Sequence, residues 1–576
     1  MTGRIVIALL LGIILGVPFA LTAGRHRDAA PSDAARLIVV SPHVPQIRAE
    51  FGRAFEAWHL REFGTPVVVD WRTPGGTSEI RNQLNAMFSS VVKDLVRRGL
   101  LDPDAPDTVR LPEGSIDYDL FFGGGSFDHG QTAGAISIAA VTPAGEGVTV
   151  RVRQSIPAGF TQAELDELFG DNRIGPQLLY DPDQRWIGTA LSSFGIVYNR
   201  EVLERLGLPE PESFKDLTDP RLIGWVALAD PRQSGSITTT FDSILGNQGW
   251  EEGWRTLRGM SGTTRYFTNS STKPPIDISQ GEAAAGLAID FYGRGQAQVI
   301  AETGGGDRVG YTDPAGSVYV DADPISLING GPNPELARHF IRFTLSEEAQ
   351  ALWQFRAGDA SNPPGPDGRP MGPAQYELRR MPVRRVMYEK YFDAFIDPVN
   401  PFEIVSDVEN PGWRTGVQVM MGCFGVDLAD ECRSAYRAMD TARRSGAFTA
   451  EELARLEDRF YAFPLTRIEA LAELSGYEAV RALVEAQGWR WISDVEASGV
   501  LPQPIDDAAL HAIGDPQKLA LAMMIREPHL LPFTEATYGT VRNEWRQPGR
   551  EARLKIEYTR FFRDNYRAIV AEVKGR

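Results

Sequence analysis

Hydrophobic and polar positions along this chain follow two alternating rhythms. Leu37 to Val40 form an unbroken aliphatic run, the pattern of a buried strand. Beyond the polar loop Ser41-Pro42-His43, the apolar residues Ile47, Phe51, Phe55 and Trp58 recur at helical spacing. The same alternation continues. TPVVVDW (65–71) predicts a strand, and a helix follows Gly76 with Thr77 or Ser78 as its N-cap. IDYDLFFGGG (116–125) predicts a strand running into a glycine turn, and RWIGTALSSFGIVYNR (185–200) two short strands or one long one. GWVALADP predicts a strand and SGSITTTFDSILG the start of a helix. AAAGLAIDFYGRG reads as helix-to-strand or strand-to-loop, and SVYVDADPISLING as a pair of strand segments. Two helices follow, one capped by Asn333 with Pro334 at its first position, the other capped by Ser346. Strands alternating with helices predict an α/β architecture with mainly parallel pairing.

The rhythm changes after the loop SNPPGPDGRPMGP (361–373), which marks a boundary. Past Phe448 the pattern is helical. Thr449 and Glu452 form a capping box ahead of Leu453, Leu456 and Phe460. The last helix carries Leu554, Tyr558, Phe561, Phe562, Tyr566, Ile569 and Val573 on one face, read as core. No internal repeat is evident.

The chain has 576 residues, enough for two or more globular units, and its 43% hydrophobic content is that of a folded protein. A net charge of −17 argues against a nucleic-acid partner, which requires a basic surface. At the N-terminus Arg4 precedes an uncharged run from Ile5 to Gly24, close to the ~20 residues that span a bilayer. Residues 1–24 are therefore expected to be an uncleaved membrane anchor or a cleaved export signal, followed by a linker over 25–35. Either puts the body of the protein in the periplasm or cell envelope. Cys423 and Cys432 are the two cysteines; in an exported protein they could pair, and their spacing matches no metal motif.

Several polar clusters sit where an α/β chain exposes groups to a ligand. Gly123-Gly124-Gly125-Ser126 follows a strand and would let a backbone approach a solute, or serve as a plain tight turn. Ser234-Gly235-Ser236 precedes a helix, where free N–H groups bind anions or a serine simply caps. Asn269 and Ser270, within TNSST, offer amide and hydroxyl groups, or a surface turn. The zincin, nucleophile-elbow and P-loop motifs do not occur, so the chain is read as a non-enzyme, and any ATPase it works with is a separate chain.

In order, VVSPHVPQIRAEFGRAFEAW, TPGGTSEI, DYDLFFGGG, WIGTALSSFGIVYN, FKDLTDPRLIGWVALADPRQSGS, DISQGEAAAGLAIDFYGRG and DPISLINGGPNPELARHFIRFTLSEEAQ resemble the solute-binding proteins of ABC transporters. The likeness is nearest to the ferric-iron-binding branch of type 2 periplasmic binding proteins, and covers roughly residues 36–360. It implies two α/β lobes closing on a solute in the cleft between them, with a mainly helical C-terminal extension outside the family pattern. The first lobe would take 36–190 and 326–410, the second 191–325 with the crossover strands, and the extension 411–576. Ser41 and His43, at the end of the first strand, would face the cleft, as would Ser192 and Ser193 near the first crossover. The family's glutamate ligand falls on Glu79, next to Thr77 and Ser78, and its paired tyrosines fall on Phe291 and Tyr292. Phe291 cannot ligate. A metal set of His43, Glu79, Asp290 and Tyr292 would remain for transported Fe³⁺ or an iron complex, hard oxygen donors suiting a hard cation. The alternative is a small anionic organic solute of phosphonate-like chemistry, held by hydroxyls and helix N-termini including Gly124, Gly125, Ser234, Gly235 and Ser236. The partners implied are an ABC permease and a separate ATPase; a sensor for a signalling partner is a rival role, and a hydrolase on the same scaffold a third.

Overall fold

The computed structural model describes residues 34–314, 317–409, 411–472, 522 and 529–576. The expected anchor or signal at 5–24 lies outside them; among the described residues no helix is long and apolar enough to cross a membrane.

The first lobe opens with β1 (Ala35–Val40), α1 (Pro45–Phe63), β2 (Val67–Arg72), α2 (Thr77–Arg97), β3 (Leu120–Phe122) and α3 (Ser126–Ala133). Proline at its first position starts α1, and Gly64, at φ 67°, ends it in the left-handed region. Gly76, not Thr77 or Ser78, is the N-cap of α2, so Thr77 is its first helical residue. Ile80, Leu84, Phe88, Val92 and Leu95 form the buried stripe of that helix.

A single long strand, β4 (Ile187–Asn199), carries the chain into the second lobe. That lobe contains β5 (Val226–Ala229), α4 (Gly235–Gln248), α5 (Trp250–Thr263), β6 (Thr264–Thr268), β7 (Ala285–Ile289), α6 (Asp290–Ile300) and β8 (Val309–Thr312). The segment from Ala285 to Ile300 is strand-to-helix, neither of the orders the pattern suggested. Its β7 half reads as a buried run because strands cover both its edges. The return strand β9 (Val320–Ile328) is also one strand rather than two, with a register shift between Asp323 and Pro324. Proline cannot donate to the ladder, which accounts for the shift there. Two helices follow, α7 (Pro334–Thr344) and α8 (Glu347–Gln354).

Among the described residues one sheet of 11 strands runs through both lobes, in the order β6-β5-β7-β4-β9-β3-β1-β2, with β8 paired to β4. β1 pairs in parallel with β2 and β3, and β5 in parallel with β6 and β7. β4 and β9 pair antiparallel with each other; β4 also pairs antiparallel with β7 and β8 of the second lobe, and β9 with β3 of the first. Every residue of both strands is buried. The two halves of the molecule are thus joined by a pair of crossed-over strands, and the fold is a two-lobe α/β structure with a cleft between the lobes.

The helical C-terminal region is no appendage. Its helices α9 (Arg414–Met421), α10 (Ala429–Ser445), α11 (Ala450–Tyr461) and α12 (Arg550–Lys574) share one hydrophobic core with α4 and α5 of the second lobe. Leu554, Tyr558, Phe562, Tyr566 and Ile569 are the buried face of α12; Phe561 and Val573 pack at its margin. Arg258 of α5 is almost wholly buried in this core, 4.0 Å from the ring centre of Phe424 and 4.5 Å from that of Phe562, and it donates to the Phe460 carbonyl. Cys423 and Cys432 are buried and free rather than paired; burial pushes both thiols up to about 11.

Candidate functional site

The sheet topology dictates where a site can form. Parallel strands end in turns that feed helices, so β1, β2 and β3 present the starts of α1, α2 and α3 to the space between the lobes, and β5 and β7 present α4 and α6 from the other side. A cavity of about 350 Å³ lies there. The first lobe lines it with Pro42 and His43, with Gly75 to Thr77, and with Gly124, Gly125, Phe127 and Asp128. The second lobe contributes Gln233 to Ser236 and Thr239 of α4, Asn269 to Thr272 after β6, and Ile289 and Tyr292. Ser192 and Phe194 of β4 and Asp321 and Ala322 of β9 form its floor, and Arg380 enters from the segment that returns to the first lobe.

His43 and Asp323 form the buried anchor of the first-lobe wall. His43 Nε2 lies 3.0 Å from Asp323 Oδ2, and the other Asp323 oxygen accepts the Gly124 N–H at 2.9 Å. Gly123 makes this possible: at φ 100° it holds a conformation few other residues adopt, and a Cβ there would collide with the imidazole. Burial, with Arg380 and Arg48 nearby, holds the His43 pKa well below 6.5, so the ring is neutral. Arg380 pairs with Asp323, and its guanidinium lies 4.1 Å from the Phe291 ring centre. Burial lowers its pKa to about 10, which leaves it charged at neutral pH. Burial also raises Tyr292, against the pull of Arg380, so its phenol is protonated.

The carboxylates of the cleft are unequal. Asp128 is salt-bridged to Arg81, Nε to Oδ1 3.2 Å. Asp321 accepts the Ser126 N–H through Oδ2 at 3.2 Å and has no partner on Oδ1; burial raises it to about 6, with Ser126 and Arg414 pulling the other way.

Of the residues singled out in the sequence, His43, Thr77, Gly124, Gly125, Ser192, Ser234, Gly235, Ser236, Asn269, Ser270 and Tyr292 come together around this cavity. Five do not line it. Ser41 lies behind the wall, its Oγ accepting the His43 N–H at 3.1 Å. Ser78 and Glu79 are the second and third residues of α2 and are not among the lining residues; the Glu79 side chain folds back over Gly75 and Gly76. Ser193, facing the opposite side of β4 from Ser192, donates to Asp313 Oδ1 at 2.7 Å. Asp290 is fully buried at the start of α6, where Oδ1 accepts the Phe291 N–H and Oδ2 lies 3.7 Å from Arg294.

The expected metal set is therefore not assembled. Asp290 is committed to Arg294, Glu79 to its own turn, and His43 Nε2 to Asp323. Among the described residues no group of three or more His, Cys, Asp or Glu side chains converges as a metal site. Sequence reasoning passed over Arg380, Asp321, Asp128, Phe127 and Gln233. Asp321 carried a readable signal, an acidic residue inside a predicted core strand. Arg380 carried none, since it arrives from a loop far along the chain.

Residues 152–370 match the family of bacterial extracellular solute-binding proteins. The phosphoglycerate transport regulatory protein PgtC of Salmonella typhimurium is 26% identical over 166 residues, 29% of this chain and 40% of that one. Iron uptake protein A1 of Synechocystis is 26% identical over 190 residues, 31% of this chain and 50% of that one. Among solved structures, the periplasmic binding protein AfuA of Actinobacillus pleuropneumoniae, with fructose-6-phosphate bound, is 17% identical, covers 55% of this chain and 81% of its own, and has a TM-score of 0.40. The chain spans about half the length of the curated relatives it matches. The likeness to the bacterial extracellular solute-binding proteins is thus a likeness of one part of the chain, residues 152–370.

Proposed function

We propose that this protein captures a small anionic organic solute, a phosphate ester or phosphonate, in the cleft and delivers it outside the cytoplasm to an ABC permease whose ATPase is a separate chain. One observation carries the reading: two helix N-termini from opposite lobes, those of α2 at Thr77 and α4 at Gly235, meet at one cavity that a buried, charged Arg380 also lines. Unpaired N–H groups and the positive ends of helix dipoles favour an anion there. A solute touching both lobes stabilises their closed arrangement, which is how binding becomes a signal to a transporter. The name of the Salmonella relative, which speaks of phosphoglycerate, supports an anionic solute; that of the Synechocystis relative supports iron. The donors around this cleft favour the first, because of the four residues expected to hold Fe³⁺ only His43 and Tyr292 line the cavity.

A thermal-shift series on the full chain tests the reading. A solute at 100 times its Kd adds about 2.7 kcal/mol. Shifts are expected with phosphoglycerates, sugar phosphates or phosphonates, and none with ferric citrate. A visible phenolate–iron colour with ferric citrate, lost in Tyr292→Phe, and no shift with any phosphorus compound would overturn it. The word regulatory in the Salmonella relative's name favours a second role with the same cleft, presentation of the bound solute to a signalling partner. Recovery of the liganded protein with a sensor kinase rather than a permease would mark that role.

A further inference from the structure

Three residues that line the cavity each carry a buried side-chain atom with no hydrogen-bond partner among the described residues: His43 Nδ1, Ser192 Oγ and Asp321 Oδ1. All three residues are at least nine-tenths buried. A buried polar atom left unpaired costs about 1–3 kcal/mol, so three around one cavity describe what a ligand must supply.

Their chemistry is specific. His43 Nε2 faces the Asp323 carboxylate at 3.0 Å and so carries the proton; Nδ1 is then a lone pair. Asp321 Oδ1 is a carboxylate oxygen whose partner oxygen already accepts from Ser126. Ser192 Oγ both donates and accepts. Two acceptors and a hydroxyl ask for donors. A phosphate dianion has none, so the donors belong to another part of the solute. An ammonium group would donate, but the surroundings oppose it: Arg380 and Arg48 act on His43, and Arg414 acts on Asp321. Neutral hydroxyl groups fit.

We infer that the solute is a phosphate ester of a polyhydroxylated carbon chain, its hydroxyls held by His43 Nδ1, Ser192 Oγ and Asp321 Oδ1 at the floor of the cleft. This rests on the anionic-solute reading and names its class. The phosphate lies toward Arg380 and the starts of α2 and α4, where the Asp128 carboxylate is already paired with Arg81, and away from Asp321, whose carboxylate has no cationic side chain in a salt bridge among the described residues.

Titration calorimetry of the full chain at pH 8 tests it with glycerol 3-phosphate, ribose 5-phosphate and fructose 6-phosphate against propyl phosphate and phosphoethanolamine. At least one hydroxylated ester should bind tenfold or more tighter than propyl phosphate. Ser192→Ala should weaken that ester by about two- to tenfold and Asp321→Asn by about ten- to a hundredfold, with propyl phosphate affected less than twofold. Equal binding of propyl phosphate and every hydroxylated ester, or tightest binding of phosphoethanolamine, overturns the inference and leaves the anion reading standing. Binding of ferric citrate with no phosphate ester bound overturns both. The ligand series on the native protein decides the matter even if Asp321→Asn fails to fold.

Discussion

Thr77 and Gly235 meet across the cleft: a methyl group added at Gly235 would stand 3.0 Å from Thr77 Oγ1 and 3.0 Å from Asp128 Oδ2. Each is the first residue of its helix, so the positive ends of two dipoles from opposite lobes converge, with the Asp128 carboxylate between them. Any side chain at this position would press on both groups, which would have to give by a few tenths of an ångström. Gly235→Val should wedge the lobes apart, because neither the helix start of α2 nor the Arg81-bound Asp128 can retreat far. Small-angle scattering should show a larger radius of gyration, and affinity for any bound solute should fall. An unchanged radius and unchanged affinity would contradict this account of closure.

Arg414 ties the C-terminal region to the cleft. It donates to the Gly235 carbonyl at 3.0 Å, bonds Thr239, and lays its guanidinium 4.1 Å from the ring centre of Phe127 in the opposite lobe. A cation over a ring is worth about 0.5–2 kcal/mol. Arg414→Gln and Phe127→Leu should each weaken solute binding by about two- to thirtyfold. The double variant should be little worse than the single ones, since both remove one contact. Strictly additive losses would mean that the two side chains act separately.

Asp290 makes stability depend on pH. Burial raises its folded pKa to about 7, with Asp313 adding to the rise and Arg294, Arg380 and the Phe291 N–H opposing it. In the unfolded chain it titrates near 3.8. Between those values the unfolded chain releases its proton first, so the contribution of Asp290 to stability falls as pH rises from about 4 to 7 and stays low above. Asp290→Asn lacks that titration. Urea unfolding should therefore show the variant gaining on the native protein across that window, by up to a few kcal/mol, then levelling off. His43 and His129, both depressed by burial and His129 to about 3, lose stability as pH falls below 6.5, but they do so in both proteins and cancel in the difference. A difference that is flat with pH refutes the assignment.

Tyr558 tests whether the extension is integral. Its hydroxyl lies 2.6 Å from Thr466 Oγ1 and accepts from Trp545 Nε1 at 3.1 Å, inside the core shared with the second lobe. Tyr558→Phe leaves two buried partners unpaired and should cost about 1–3 kcal/mol in urea unfolding. Because the core is shared, the second-lobe signal of Trp254 fluorescence should shift together with that of α12 in one transition. Separate transitions, with Trp254 unaffected, would make the extension an independent unit.

What the sequence determined by itself was local and periodic. Ile47, Phe51 and Phe55 announced α1, the Thr449 capping box announced α11, and the alternation of strands with helices announced an α/β chain. Glycine and hydroxyl clusters after predicted strands pointed to the cleft, because strand ends are where such chains expose backbone. The tertiary structure decided which neighbours face the same way. Ser192 and Ser193 are adjacent, yet strand geometry sends one to the cavity and the other to Asp313. Asp290 and Tyr292 are two apart, yet the turn of α6 buries one against Arg294 and lines the cleft with the other. No local pattern could bring Arg380 to Asp323 or Arg414 to Phe127, since those pairs join segments far apart in the chain. Nor could any local pattern say that the last helices complete the core of the second lobe: an apolar stripe records only that it must be covered, and the partner that covers it is chosen by shape.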